Sequence, residues 1–159
     1  MTERAARIAK PVPHLSEINR PFYDSARRGQ FCLQRCRACG QWTYYPRIAC
    51  PNCLADELEW TIASGQGSVY SFALVYRPQH PSFEDDIPIV LAAIALPEGP
   101  VMISEVVDCD SGEPYVGMPV EIVWERRSAE IAVPRFRPVR DMTIPRPSKE
   151  DLNGAARGC

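Results

Sequence analysis

Apolar residues recur at helical spacing in one short stretch near the N-terminus and alternate at strand spacing through most of the remaining chain. The stretch HLSEINRPFYDSARRG, residues 14–29, predicts a helical hairpin. A short first helix breaks near Asn19 and Pro21, and a second places Phe22, Ala26 and Tyr23 inward and stops at Gly29. Asn19 is the expected N-cap, Pro21 is tolerated in a first turn, and Gly29 supplies the left-handed stop. QFCLQR then alternates, with Phe31 and Leu33 on one face, and runs directly into Cys36. After Cys53, ELEWTIASG reads as another strand, with Gly65 and Gly67 in the turn that leaves it.

Five more strands are predicted: SVYSFALVY (68–76), IPIVLAAIAL (87–96), VMISEVVD (101–108), PVEIVWER (119–126) and EIAVPRFRPV (130–139). They are rich in β-branched and aromatic residues, and LPEGP, DCDSGEP and VGMP separate most of them as turns. The pattern implies a mainly β fold, a small barrel or sandwich. The five-stranded OB barrel has this size, with its usual helix between strands three and four shortened to a loop. The organisation expected is a flexible arm (1–13), the hairpin (14–29), a cysteine-rich module (30–63), the OB-type domain (64–139) and a flexible tail (140–159). The long insertion RPQHPSFEDDIP (77–88) joins the first two barrel strands.

At 159 residues the chain can bury one modest core. Its 45% hydrophobic and 24% charged residues are those of a soluble globular protein, and no apolar run approaches the ~20 residues of a membrane span. Residues 1–14 carry charges with no apolar segment behind them, so a cytoplasmic location and reduced thiols are expected. The net charge of −2 hides an asymmetry. Residues 20–47 hold six arginines against Asp24 alone, a net +5, whereas residues 48–130 hold fourteen acids against three arginines, a net −11. An OB reader of nucleic acid needs a positive groove with stacking aromatics, so this acidic barrel segment argues against nucleic acid as a partner.

The strongest chemical signal is Cys36-x2-Cys39, ten residues, then Cys50-x2-Cys53. Each CxxC bends around an ion as a knuckle, and two knuckles complete a tetrahedron of thiolates at ~2.3 Å per bond. Gly40 and Pro51 suit the tight backbone. Zinc is expected; iron in the same ligands would make a rubredoxin-type electron carrier. Four thiolates leave no open position for water or substrate, so the ion is a staple rather than a Lewis acid. Of the other cysteines, Cys32 reads as a small core residue, Cys109 lies among acids that discourage a thiolate, and Cys159 is terminal.

No catalytic constellation can be assembled. His14 and His80 belong to no triad or metal motif, and Glu84, Asp85 and Asp86 read as a solvated run. There is no phosphate-binding glycine loop and no nucleophile elbow. His80 and Arg77 in the long insertion, with Arg37, Trp42, Tyr45 and Arg47 around the knuckles, are the candidates for contact with a ligand or partner. Trp42, Tyr44 and Tyr45 are read as exposed aromatics between the knuckles, which either pack against the helices or anchor a partner, since Trp, Tyr and Arg dominate interface hot spots.

Taken together, NRPFYDSARRGQFCLQRCRACGQWTYYPRIACPNC, SGQGSVYSF and GMPVEIVW resemble the bacterial and archaeal family that joins a rubredoxin-like zinc ribbon to an OB fold, domain of unknown function thirty-five. The resemblance spans about residues 14–139. It implies an accessory subunit of a thiolase-superfamily enzyme (thiolase, synthase or aldolase) acting on acyl-CoA. Such a subunit forms a hetero-oligomer, stabilises the catalytic partner and helps shape the acyl-CoA site, with a coenzyme A thioester as a possible shared ligand. Only the four ligand cysteines carry over residue by residue. The alternatives are a stand-alone acyl-CoA hydrolase or transferase, and a nucleic-acid-binding module.

Overall fold

The computed structural model describes residues 8–109 and 114–139. The order of elements is α1 (Arg20–Arg27), β1 (Cys32–Cys36), β2 (Trp42–Thr43), β3 (Leu58–Ile62), β4 (Gln66–Val75), a 3-10 turn (Pro81–Asp86), β5 (Ile89–Ala95), β6 (Val101–Val106), β7 (Pro119–Arg126) and β8 (Ala132–Pro138). The expected arm start, the DCDSGEP turn from Asp110 to Glu113 and the tail fall outside the described residues.

The expected helical hairpin is a single helix preceded by a turn. Ser16 O accepts from Arg20 N, and Asn19 faces backward: its Oδ1 accepts from Ser16 N at 2.8 Å and its Nδ2 donates to His14 O at 3.0 Å. Asn19 therefore closes the incoming turn and makes no side-chain cap on α1. Too few residues separate His14 from Pro21 for two helical hydrogen-bonded turns to nucleate. The C-terminal stop agrees with expectation. Gly29 has φ +74°, Gly29 N donates to Ala26 O and Gln30 N to Ser25 O, the paired bonds of a Schellman motif.

Two β units stack on that helix. β2, β1 and β3 form a three-stranded antiparallel sheet in that order. The other five strands close a barrel in the order β4-β5-β6-β8-β7, antiparallel except where β6 meets β8 in parallel at Val106 and Phe136. This is the closed five-stranded architecture expected of the OB type. β4 belongs to two ladders: its start pairs with β7, and the rest pairs with β5 across a bulge between Val69 and Ser71.

Gly67 sits where β4 changes partner. A Cβ there would lie 2.6 Å from Ile94 Cγ2 and 3.1 Å from the Ala95 carbonyl oxygen. Ile94 is fully buried, so it has no free space into which to move. Gly67→Ala is therefore expected to destabilise the barrel by about 1–3 kcal/mol, read as a lower urea midpoint at unchanged slope.

The barrel interior holds Val69, Ile94, Met102, Val120 and Phe136, each with 1% or less of its surface exposed. The core continues out of the barrel into the N-terminal half. Phe22 of α1 packs against Phe31 ahead of β1, Tyr44 beyond β2 and Trp124 of β7, with ring centroids 6.3–6.5 Å apart. Phe31 also meets Trp124 at 6.3 Å. Helix, cysteine-rich sheet and barrel thus share one apolar cluster. Unfolding any one of them exposes the aromatic faces of the other two.

Candidate metal centre and its surroundings

The strand β1 delivers Cys36 to the first knuckle, and the two knuckles repeat one hydrogen-bond pattern. Cys36 N donates to Gln41 O and Gly40 N to Cys36 O; Cys50 N donates to Ala55 O and Leu54 N to Cys50 O. All four bonds span 2.8–2.9 Å. The residue after each second cysteine is left-handed, Gly40 at φ +76° and Leu54 at φ +64°. The sequence announced the first of these through its glycine and concealed the second under a leucine. Leu54 is 80% exposed, so its side chain contributes little burial against the conformational cost of that backbone. Leu54→Gly should be neutral or stabilising by up to about 1 kcal/mol, measured by denaturant unfolding of the metal-loaded protein.

The knuckles converge. Cys36 Sγ and Cys53 Sγ lie 3.6 Å apart, as do Cys39 Sγ and Cys50 Sγ, and all four sulfurs fall within 4.8 Å of one another. A tetrahedral ion with Zn–S bonds of ~2.3 Å requires sulfur–sulfur edges of about 3.8 Å, which this set meets with small adjustment. Donor type, number and spacing fit structural zinc. Cys36 and Cys50 are buried, while Cys39 and Cys53 are exposed.

Four thiols this close cannot hold independent protons. The Gln41 N–H, then the Asn52 amide 3.6 Å from the sulfur, bring Cys39 down to about 6. The Ala55 N–H lowers Cys53, but its hydrogen bonds with Cys39, desolvation and the bonds with Cys36 and Cys50 outweigh that and push it up to about 12. Of the two exposed thiols Cys39 is thus the easier to ionise, and Cys53 is the one that gives up a proton to a bound ion. The amides aimed at the sulfurs are the groups that support the thiolates of a bound ion.

Around the knuckles the expected contact residues divide. Arg47 is exposed, and its backbone is fixed by Gln34: Arg47 N donates to Gln34 Oε1 at 2.7 Å and Gln34 Nε2 donates to Arg47 O at 2.9 Å. Gln34 is a buried polar residue that no sequence signal marked. Arg37 is exposed and only 3.8 Å from Glu59, a pair screened by solvent. Tyr45 is 54% exposed, beside exposed Ile48. Of the two readings of Trp42 and Tyr44, the structure takes packing over exposure. Trp42 is half-buried beneath the Arg35 guanidinium, 5.7 Å from its ring centroid. Tyr44 packs on Phe22, and burial, then the neighbouring Tyr45 and Tyr23, push its hydroxyl pKa up. Tyr44 and Tyr45 stack at 4.2 Å and, with Phe22, Tyr23 and Pro46, line a cleft of about 280 Å³ between α1 and the ribbon.

Arg77 and His80 are not part of this centre; they precede the 3-10 turn between β4 and β5. Arg77 is exposed. His80 caps that turn: its Nδ1 accepts from Ser82 N at 3.2 Å and lies 2.7 Å from Ser82 Oγ. Nδ1 is thereby an acceptor, which leaves the proton of the neutral ring on Nε2. The long insertion contains a folded 3-10 turn, with Phe83 between Lys10 and Arg127 at 5.4 and 5.5 Å from its ring centroid. Among the described residues no helix is long and apolar enough to cross a membrane.

Comparison with known proteins finds two family models along the chain. Residues 24–59 match the rubredoxin-like zinc ribbon domain of ChsH2, and residues 60–125 its C-terminal OB-fold domain. A DUF35 domain-containing scaffold protein of Methanocaldococcus jannaschii is 37% identical over 100 residues, which cover 61% of this chain and 70% of the relative. A probable enoyl-CoA hydratase alpha subunit of Thermomonospora curvata is 31% identical over 137 residues, but the match takes in 86% of this chain and only 42% of that relative's length. Among solved structures, one described as the Ltp2-ChsH2(DUF35) aldolase superposes with TM-score 0.71 at 31% identity, covering 80% of this chain and 98% of the matched chain. The zinc ribbon, the OB barrel and these relatives agree: the chain belongs to the ChsH2/DUF35 family.

Proposed function

We propose that this chain is a zinc-stapled accessory subunit of a thiolase-superfamily enzyme complex acting on acyl-CoA, cytoplasmic and without turnover of its own. The observation that carries the reading is a closed four-thiolate centre joined to an OB barrel, the architecture that superposes on the chain described as the Ltp2-ChsH2(DUF35) aldolase. The closed donor set offers no position for substrate. His80 is engaged as a cap. The relatives named as a scaffold, a hydratase alpha subunit and an aldolase component support a role within an assembly. In this reading the ribbon and α1 stabilise the catalytic partner through Tyr45, Arg47, Arg37 and the tyrosine cleft. Arg77 and His80, on the barrel side, are the residues this reading assigns to contact with acyl-CoA. The exposed arginines supply the planar donors that carboxylates and phosphates accept.

The test is co-expression with a thiolase-superfamily protein encoded beside the gene, followed by purification on a tag carried by this chain and an acyl-CoA turnover assay. Co-elution, with turnover only in the mixed sample, is expected. Turnover of acyl-CoA by the isolated chain would instead favour the stand-alone hydrolase or transferase.

A further inference from the structure

One barrel strand departs from the alternation that its neighbours keep. Along β5 and β6 buried residues alternate with more exposed ones, whereas Tyr70, Ser71, Phe72 and Ala73 of β4 are exposed in succession. The register pairs Phe72 with Ala92 and Leu74 with Val90, and both of these partners are buried, so Phe72 stands on the inward side of the sheet. It is nonetheless 38% exposed. The cause is the second edge of β4. There β7 pairs with Gln66–Ser68, and the turn ahead of β7 closes on Val69: Gly117 N donates to Val69 O at 2.7 Å and Val69 N to Met118 O at 2.9 Å. From Tyr70 to Val75, no described residue pairs with that edge.

The end of β8 delivers the chain to this edge. β8 is antiparallel to β7 and β7 to β4, so β8 runs parallel to β4. Pro138 pairs with Val120 and Val120 with Gly67, which sets the end of β8 level with the point where β4 leaves β7. Val139 N then donates to Pro119 O at 3.0 Å, and Pro119 pairs with Ser68. Past Val139 the chain therefore heads the same way as β4 does past Ser68, and β7, which starts at Pro119, no longer stands between them. Strands are ~4.8 Å apart and rise ~3.3 Å per residue, so Arg140 and Asp141 cover the sideways step, and Met142, Thr143 and Ile144 come alongside Tyr70–Ala73. The sequence suits a short edge strand. Met142 and Ile144 share one face, Thr143 takes the other, and Pro145, which has no N–H, ends the pairing.

We propose that Met142–Ile144 adds to the barrel as an edge strand on β4, parallel to it, with Met142 and Ile144 laid against Phe72. The added strand supplies main-chain partners to an edge that would otherwise be open to foreign strands, and it covers the inward aromatic side that β7 does not reach. β4 leads directly into the segment bearing Arg77 and His80, so the same strand braces the residues assigned above to acyl-CoA contact. The strand addition itself is independent of the accessory-subunit reading, because it concerns the isolated chain.

Methyl-resolved NMR and amide hydrogen exchange of the zinc-loaded full chain, without partner or acyl-CoA, decide it. Cross-peaks between the Ile144 δ1 methyl and the Phe72 ring are expected, with slowed exchange at the alternate amides of Tyr70–Val75 that point away from β5. Thr143→Pro and Ile144→Asp should each speed exchange at those amides by about tenfold or more, while zinc content and protection of the β5–β6 ladder stay as in the parent. Ser148→Ala, beyond Pro145, should change neither. A parent chain without the cross-peaks, or with fast exchange along that edge, overturns the proposal. So does protection that survives both Thr143→Pro and Ile144→Asp, or that rises with protein concentration, which would assign the edge to a second copy.

Discussion

Cys50→Ser is expected to leave the protein without zinc and with the ribbon unfolded. Cys50 has no exposed surface and sits at the base of the second knuckle. Its loss leaves three thiols and a hydroxyl that binds zinc poorly, beside backbone groups ordered only by the knuckle. A ribbon of this length buries too little to stand alone. The apparent free energy of a structural zinc site, ~10–16 kcal/mol in small fingers, is as large as the whole stability of an ordinary domain. The effect should not stop at the ribbon, because Phe31 precedes β1 and packs on Phe22 and Trp124. The measurable result is zero zinc by elemental analysis, red-shifted emission from Trp42, Trp60 and Trp124, and a barrel that melts earlier or not cooperatively. A strong chelator should reproduce it in the parent protein. Cys32→Ser is the control, since Cys32 lies on the same strand outside the metal set; its zinc content should be that of the parent.

Glu125→Gln is expected to cost about 2–3 kcal/mol although the residue is remote from the metal. Glu125 of β7 accepts ion pairs from Arg127 and from Arg135 of β8, each at 2.8 Å, with Lys10 of the arm at 3.6 Å. The arginine side chains are only 10% and 13% exposed, so neutralising their shared partner strands charge in a poorly solvated place. A broken buried pair costs ~3–5 kcal/mol, and the 26% exposure of Glu125 reduces that. Lys10 also pairs with Asp86, so the same cluster holds the arm against the turn at Pro81–Asp86. Denaturant unfolding should show the loss.

Glu105 behaves differently within this cluster. Burial, opposed by Arg135, raises its pKa above the ordinary 4.5. Between 4.5 and that raised value the folded state holds a proton the unfolded chain has released, so this carboxyl contributes stability at low pH that is lost as pH rises through the folded pKa. Glu105→Gln should therefore flatten the stability profile just above pH 4.5 and cost less at neutral pH than Glu125→Gln.

The strand succession was legible because each barrel strand carries alternating β-branched residues between turn residues, and the five predicted runs correspond to β4 through β8. The metal ligands were legible because thiolate spacing is local. Which way Tyr44 turns was not, since its burial depends on α1 returning over the ribbon, a contact between residues far apart in sequence. Gln34 and Leu54 were hidden for another reason. One is a polar residue whose partner is the backbone thirteen positions away, and the other fills a left-handed site that glycine occupies in the first knuckle. The ion cluster joining Lys10, Asp86, Glu105, Glu125, Arg127 and Arg135 draws on separate segments, and charge counts along the chain could only report their sum.

Native mass spectrometry of this chain co-expressed with a candidate thiolase-superfamily partner, paired with acyl-CoA turnover of each component, decides whether the chain is an accessory subunit. One assembly containing both chains, one zinc ion per copy of this chain, and no turnover by this chain alone are expected. Separate species in the mixture, or full turnover by the isolated chain, would contradict that role.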